Sequence, residues 1–586
     1  MANNSKTSKV IICGAGIGGL TVAHELSKRN FDVVLYERKD IVGGLARSNY
    51  YTKENNRYPV EYSWRVYGTN YKNILRLIQE IPLHNRKNKS VFNNLVQVCT
   101  YIFPRFDKEE VIISRGKNKS ELIRYFKLSD LFKMLDKIFY CLTISTNRAD
   151  SLDHVKWKDY CKDLSPEAKK YMIQMWGPVL GMDTTYMSFP VVSRMVGILL
   201  GGFSGYTSCL YLLNKPTNEG WFDEWTDYLQ NTNNVKIKTN CKILDFKMKN
   251  GKINHVLIND SNNNKIKDTA DYYVCALPVE AIAKITSTNP QLLKIPTLKN
   301  TIKLAKKCRQ IQLSVQLFLD QEIIYPCKGE TILYLPDTPW SLIIEPQDTA
   351  WGQTYCTDKN VRTVLSVGIC QTDMPGILYN KPFIKCSKDE IKEEVWNQIL
   401  KSYNCSKIVT KNGEKLDHAK ILLFYMWDSF YFDDKKKEID VSEPKFSNNI
   451  NSLKYQPDHL TEIPNLLFAT GYTKTDRYIY SMESAAEAGT LCANEIIRKY
   501  NEKHNEKNNN NYNQKSGEPL PLTKIYSYSG SILFLKPLII IDNVFYKLGL
   551  PHLSKLTFNS IFLVLAYSII LLLAMVFLAK LMISSI

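Results

Sequence analysis

Lys9-Val-Ile-Ile-Cys13, Gly14-Ala15-Gly16-Ile17-Gly18-Gly19, the run Leu20 to Asn30, and Asp32-Val-Val-Leu-Tyr36 closing on Glu37 form the stretch whose reading decides the fold. The first apolar run is short and uninterrupted, the pattern of a parallel strand buried on both faces. The glycines follow at once. Leu20, Ala23, Leu26 and Ser27 then fall on one face of a helix. Three glycines serve three different needs. Gly14 permits a tight turn, Gly16 lets the backbone approach a pyrophosphate, and Gly19 lets helix and strand pack closely. Ala15 and Gly18 complete the loop, and the helix N-terminus offers free N–H groups and a positive dipole to phosphate. Glu37 stands about 20 residues further on, where a carboxylate accepts both hydroxyls of an adenosine ribose and repels a 2′-phosphate. A strand–loop–helix–strand unit for a dinucleotide is expected.

The sequence continues Glu37-Arg38-Lys39-Asp40-Ile41-Val42-Gly43-Gly44-Leu45-Ala46-Arg47-Ser48, an acid followed by a Gly-Gly pair. Far downstream, Asn465-Leu-Leu-Phe-Ala-Thr-Gly471-Tyr472-Thr473 leads to Ser481-Met482-Glu483-Ser484-Ala485-Ala486-Glu487-Ala488-Gly489. In these two motifs the chain resembles the FAD-dependent amine oxidoreductase superfamily, which holds flavin amine oxidases, phytoene-desaturase-like enzymes and the flavin-free Rab escort proteins. The resemblance covers about residues 9–500. It implies an α/β chain in which a Rossmann-like FAD-binding domain of glutathione-reductase type interleaves with a mixed-sheet and helical substrate domain. The expected division is 1–83, 235–300 and 455–500 for FAD, and 84–234 with 301–454 for substrate. It also implies roles for single residues. Gly43 and Gly44 pass the flavin phosphate and ribityl chain; Leu45 stands where many members carry Arg, so phosphate pairing falls to Arg47 or Arg38. Gly471 begins the turn whose helix, starting at Met482 and Glu483, points at the flavin. Tyr472 replaces the usual Asp there. Cys241 and Ile243, in the stretch 235–275, flank the adenine. Pro59-Val-Glu61-Tyr62-Ser63-Trp64-Arg65 resembles the desaturase loop that runs past the isoalloxazine, which brings Trp64 and Arg65 near it.

The family moves hydride from a substrate C–H bond to flavin, so shape and dryness matter more than acids and bases. Amine oxidases carry a Lys near the flavin and an aromatic residue directly before Met-Glu. Here Tyr480 is one place off, and the apolar alternation of Ile311–Leu319 puts Gln312 at the lysine site. Both departures favour a hydrophobic substrate, an isoprenoid or another lipid, over an amine or polyamine. A non-enzymatic Rab-escort-like lipid or protein carrier is the alternative of another class; the full set of glycines with Glu37 favours cofactor binding. Trp64, Arg65, Gln312 and Tyr472 are the candidates near the flavin, and no catalytic residue is named by the sequence. There is no GxSxG elbow and no GKS/GKT loop.

Bulk features set the surroundings. The chain has 586 residues, room for a large two-part enzyme. Its 76 Lys and Arg against 58 Asp and Glu give a formal charge of +18. No basic stripe interleaves with aromatics, so nucleic acid is not an expected partner. The 14 cysteines are scattered without a CxxC pair, which leaves no metal site to expect and suggests free thiols in a reducing compartment. The tract 501–525 opens with a polar, Asn-rich run and reads as a flexible linker. Residues 526–586 read as a membrane-associated tail, with 531–550 either interfacial or packed on the body. Ile561–Ala579 is uncharged and apolar for 19 residues, about the length that spans a bilayer. A single-pass tail anchor with the body on the cytosolic side is expected. Oxygen or a quinone is the expected class of electron acceptor.

Overall fold

The computed structural model describes residues 8–63, 65–84, 86–114, 126–201, 210–352, 355–509, 518–526 and 535–556. Five parallel strands form the first sheet: β1 (Lys9–Cys13), β2 (Asp32–Tyr36), β3 (Lys236–Lys238), β4 (Tyr272–Cys275) and β5 (Leu466–Phe468). Their order across the sheet is β5-β4-β1-β2-β3. The chain leaves β1 toward β2 on one side, while β4 pairs on the other. The end of β1, where Gly14 begins, is therefore the topological switch point at which such sheets bind ligands.

Helix α1 (Ile17–Ser27) is buried along its whole length. The sheet covers one side, and α4 (Met482–Asn509) crosses the other. That crossing depends on small residues: a Cβ at Gly18 would lie 2.0 Å from the Ala469 carbonyl oxygen, and one at Gly489 2.7 Å from the Gly18 carbonyl oxygen. α2 (Lys72–Glu80) packs on α4. Between β3 and β4 stands an antiparallel trio, Lys242–Lys249, Lys252–Asn259 and Lys265–Asp268. Its first turn, Asn250-Gly251, has φ of 52° and 73°, the left-handed pair a two-residue hairpin requires.

Among the described residues, the second body is a mostly antiparallel sheet of nine strands, whose inner members Leu313–Leu319 and Thr363–Ile369 are buried throughout. A helical lobe closes over it, built on Trp157, Met187, Phe189 and Val192 and including α3 (Leu128–Thr143).

One expectation changes at the C-terminal side. α4 runs on to Asn509, and residues 518–526 lie against the first domain instead of hanging free. Arg29 donates to the Pro521 carbonyl at 2.7 Å, Thr523 donates to Glu25 at 2.5 Å, and the Tyr526 N–H reaches Asn73 at 3.0 Å. The stretch after the polar run contains residues that bond the C-terminal end of α1 and the start of α2, and composition alone does not show that. Helix α5 (Lys536–Lys547) packs on α3. No helix among the described residues is long and apolar enough to cross a membrane. The expected span, 561–579, lies outside them.

Candidate functional site

The glycine loop joins β1 to α1 at the switch point. Gly14 takes φ of +109°, and a Cβ there would sit 2.5 Å from the Ala276 carbonyl oxygen. At Gly19 a Cβ would lie 2.0 Å from the Gly14 carbonyl oxygen. Gly16 differs. It is partly open, and a Cβ would meet only the Gly44 Cα, at 3.9 Å. That is the space a phosphate needs, at the end of a helix whose first turn brings no side-chain cap.

Glu37 sits beside this loop. Its Oε2 accepts the Ala15 N–H at 2.9 Å and its Oε1 the Lys39 N–H at 3.0 Å, so one lone-pair region on each oxygen is left for a ribose hydroxyl. Cys241 donates its N–H to the Glu37 carbonyl at 2.7 Å, and Cys241 and Ile243 pack with Val34 and Tyr36. The Gly43 N–H donates to the Ala15 carbonyl at 2.9 Å, tying the second glycine loop to the first. Gly43 and Gly44 have φ of +110° and +58°, conformations that glycine adopts without a Cβ penalty. An open glycine, free helix N–H groups and a poised carboxylate at one point fit an adenine dinucleotide.

The residues singled out in the sequence have partners within the protein. Arg38 and Arg47 do not stand free for phosphate: both pair with Glu443, and Lys39 approaches the same carboxylate at 3.2 Å. Burial alone would push Glu443 up; Arg47, Lys39 and Arg38 hold it below its ordinary value. Glu483 is a strut. It accepts the N–H groups of Asn73 and Ile74, each at 2.9 Å, and faces Arg477 at 3.2 Å, so it fixes the start of α2. The Tyr472 hydroxyl donates to the Leu277 carbonyl at 2.8 Å while its ring stacks on Phe446. Arg65 donates to the carbonyls of Leu45, Ala46 and Ser63 and so braces the Gly-Gly loop. Gly471 and Met482 are partly open, in line with their place at the turn before α4. Trp64 lies outside the described residues.

Gln312 is buried near the start of the strand Leu313–Leu319, and there the structure supplies what the alignment missed. The Lys445 ammonium donates to Gln312 Oε1 at 2.7 Å, and Gln312 Nε2 donates to Cys370 Sγ at 3.4 Å. Lys445 comes from a two-residue strand paired with Arg309–Gln310. Burial brings its pKa down to about 8. Its neighbour Phe446 touches Tyr480, ring centroids 5.3 Å apart. The segment 443–446 thus runs from the arginines of the nucleotide end to the aromatic residues of the closing motif. Glu280 stands near the same tyrosines, its carboxyl raised to about 7 by burial, with Oε1 buried and without a hydrogen-bond partner. Gly-Gly, glycine loop and closing motif are visible as patterns. Glu443, Lys445 and Glu280 are not, because isolated charges in a divergent stretch carry no spacing signal.

The profile of the family described as "NAD(P)-binding Rossmann-like domain" matches residues 12–81. Zeta-carotene desaturase of Arabidopsis thaliana is 22% identical over 535 residues, 83% of this chain and 85% of that protein. UDP-galactopyranose mutase of Mycoplasma genitalium is 24% identical over 247 residues, 41% of this chain and 55% of that protein. Cyclohexylamine oxidase from Brevibacterium oxydans superposes with a TM-score of 0.55 at 13% identity, covering 84% of this chain and 99% of its own. Fold and site define a class, enzymes with a Rossmann-like dinucleotide-binding domain, and FAD is the cofactor. Within that class the sequence likeness runs over most of the chain to a carotene desaturase, and the fold is shared with amine oxidases.

Proposed function

We propose that this chain dehydrogenates a hydrophobic, uncharged substrate, an isoprenoid or another lipid, while tethered by residues 561–579 to the membrane that dissolves it. The body then lies on the cytosolic side. FAD, when bound, supplies a two-electron acceptor for hydride. The chain's own residues hold the dinucleotide (Gly16, Glu37, the α1 N-terminus) and shape the ground on which the substrate lies.

The observation that carries this reading is the Phe446–Tyr480 contact. The two rings touch each other, so no slot for an amine opens between them. The desaturase likeness along 83% of the chain supports the same choice.

Full-length protein in detergent, reconstituted with FAD, is mixed anaerobically with an isoprenoid or membrane-lipid extract and, separately, with mono- and polyamines. Bleaching of the visible flavin band by the lipid fraction alone is expected. Bleaching by amines alone rejects the proposal, and a protein that takes up no FAD rejects enzymatic function altogether.

A further inference from the structure

Helix α5 is built inside out. A helix lying on a protein normally buries its apolar stripe and turns polar residues to water. On α5 the fully buried residue is Asp542, whereas Ile540 and Val544, with Leu548 just past the helix end, are 66%, 49% and 67% exposed. At 100° per residue these three lie roughly 160°, 200° and 240° around the axis from Asp542, on the side away from the body.

The orientation is fixed by specific contacts. Asp542 accepts Arg148 Nε at 2.8 Å and the Ser145 N–H at 2.7 Å. Arg148 also donates to the Leu550 carbonyl at 2.9 Å, Asn147 to Asn543 at 2.9 Å, and His552 packs on Tyr140 with centroids 4.3 Å apart. Rotating the helix to hide its isoleucines would strand a buried carboxylate and a guanidinium. The apolar face therefore points outward as a built feature. α3, on which α5 packs, shows a similar pattern: Leu128, Phe132 and Leu135 are exposed at i, i+4 and i+7.

We infer that the outward face of α5 seats in a lipid bilayer surface, with Ile540, Val544 and Leu548 at the boundary of headgroups and acyl chains. Charge agrees with that occupant. From 535 to 556 the exposed charges are Lys536, Lys547 and Lys555, and the one acid is the buried Asp542, so the surface is matched to anionic headgroups. Chain length agrees as well. Only residues 557–560 separate Leu556 from the apolar run beginning at Ile561, a reach of at most about 18 Å. This inference rests on the membrane tether proposed above. A bilayer holding that run lies within reach of α5, and the apolar face then orients the body on it.

The test uses the full chain in phosphatidylcholine vesicles, with and without phosphatidylserine, and with the exposed Cys99 and Cys405 replaced by serine. Ile540→Cys, Leu548→Cys and, as a water-facing control, Lys436→Cys each carry an environment-sensitive fluorophore; the background chain without an added cysteine is subtracted. Labels at 540 and 548 should be quenched severalfold more by a nitroxide on the lipid chain than by aqueous iodide, and the label at 436 the reverse. If the protein floats with vesicles while iodide reaches 540 and 548 as readily as 436, the seating proposal falls and the tether stands. Protection that depends on protein concentration and not on lipid assigns the face to a second copy and overturns the proposal. Failure to float overturns tether and seating together.

Discussion

Replacing Glu37 by Gln separates the structural from the cofactor-binding work of one carboxylate. In the structure each oxygen accepts a backbone N–H, from Ala15 at 2.9 Å and from Lys39 at 3.0 Å, and each keeps capacity for a ribose hydroxyl. Glutamine turns one oxygen into an NH2 group. One backbone N–H then loses its acceptor, at about 1–3 kcal/mol, in the free and the bound protein alike. One charge-assisted bond to ribose is also lost, worth about 1.5–3 kcal/mol, and only in the complex. The first effect lowers the thermal midpoint of the cofactor-free protein. The second raises the FAD dissociation constant by about 10- to 150-fold. Titration of cofactor-free protein, followed by flavin fluorescence, measures the constant, and a thermal scan without FAD measures the stability. A lowered midpoint with FAD affinity unchanged within about threefold would falsify the argument, since Glu37 would then serve the loop alone.

Gly18→Ala drives a Cβ against the Ala469 carbonyl oxygen, so it should abolish flavin retention and lower the melting point; Gly251→Ala, which meets nothing but carries φ of +73°, should cost only about 1 kcal/mol and leave the flavin spectrum intact. Lys445 is depressed from 10.5 to about 8, so the unfolded chain holds more protons between those values and stability should rise with pH across that window. Lys445→Met should therefore be more stable than the parent below pH 8, by up to roughly 3 kcal/mol, with the advantage fading toward pH 10.5; a pH-independent difference in melting point would show that burial of the charge is not the cause. Glu443→Gln leaves Arg38, Lys39 and Arg47 without their counter-charge, at about 2–3 kcal/mol in the cofactor-free protein. Bound pyrophosphate offsets part of that loss, so the melting point should fall less with FAD than without it; equal falls would mean that the phosphates do not feel these cations. Asp542→Ala should release α5 from the body and expose it to limited proteolysis, because Arg148 and the Ser145 N–H lose a buried partner worth roughly 3 kcal/mol; an unchanged digestion pattern would assign the docking of α5 to other contacts.

The nucleotide half of the site was legible because its demands are stereochemical. Gly14, Gly19, Gly43 and Gly44 stand where a side chain would clash or the backbone turns left-handed, and Glu37 must follow at the end of β2. Such constraints leave fixed spacings in a sequence. The substrate half leaves none. Gln312 meets Lys445 because two strands 133 positions apart in sequence come into register, and a reading of apolar alternation along one strand cannot supply the partner. Glu483 shows the converse. Its position in the closing motif was plain, but its function depends on Asn73 and Ile74, which only the fold brings to it.

The segment 443–446 explains why the two halves work as one site. Glu443 draws Arg38, Lys39 and Arg47 together beside the Gly-Gly loop; two residues on, Lys445 enters the substrate sheet at Gln312, and Phe446 packs on Tyr472 and Tyr480. Four consecutive residues therefore touch the nucleotide end, the substrate sheet and the closing motif. A displacement of the segment at the substrate sheet must also move Glu443 against three cations, because a short strand held at both ends passes motion along its length. A variant that shifts this segment at Gln312 should therefore change flavin affinity as well, which flavin titration measures.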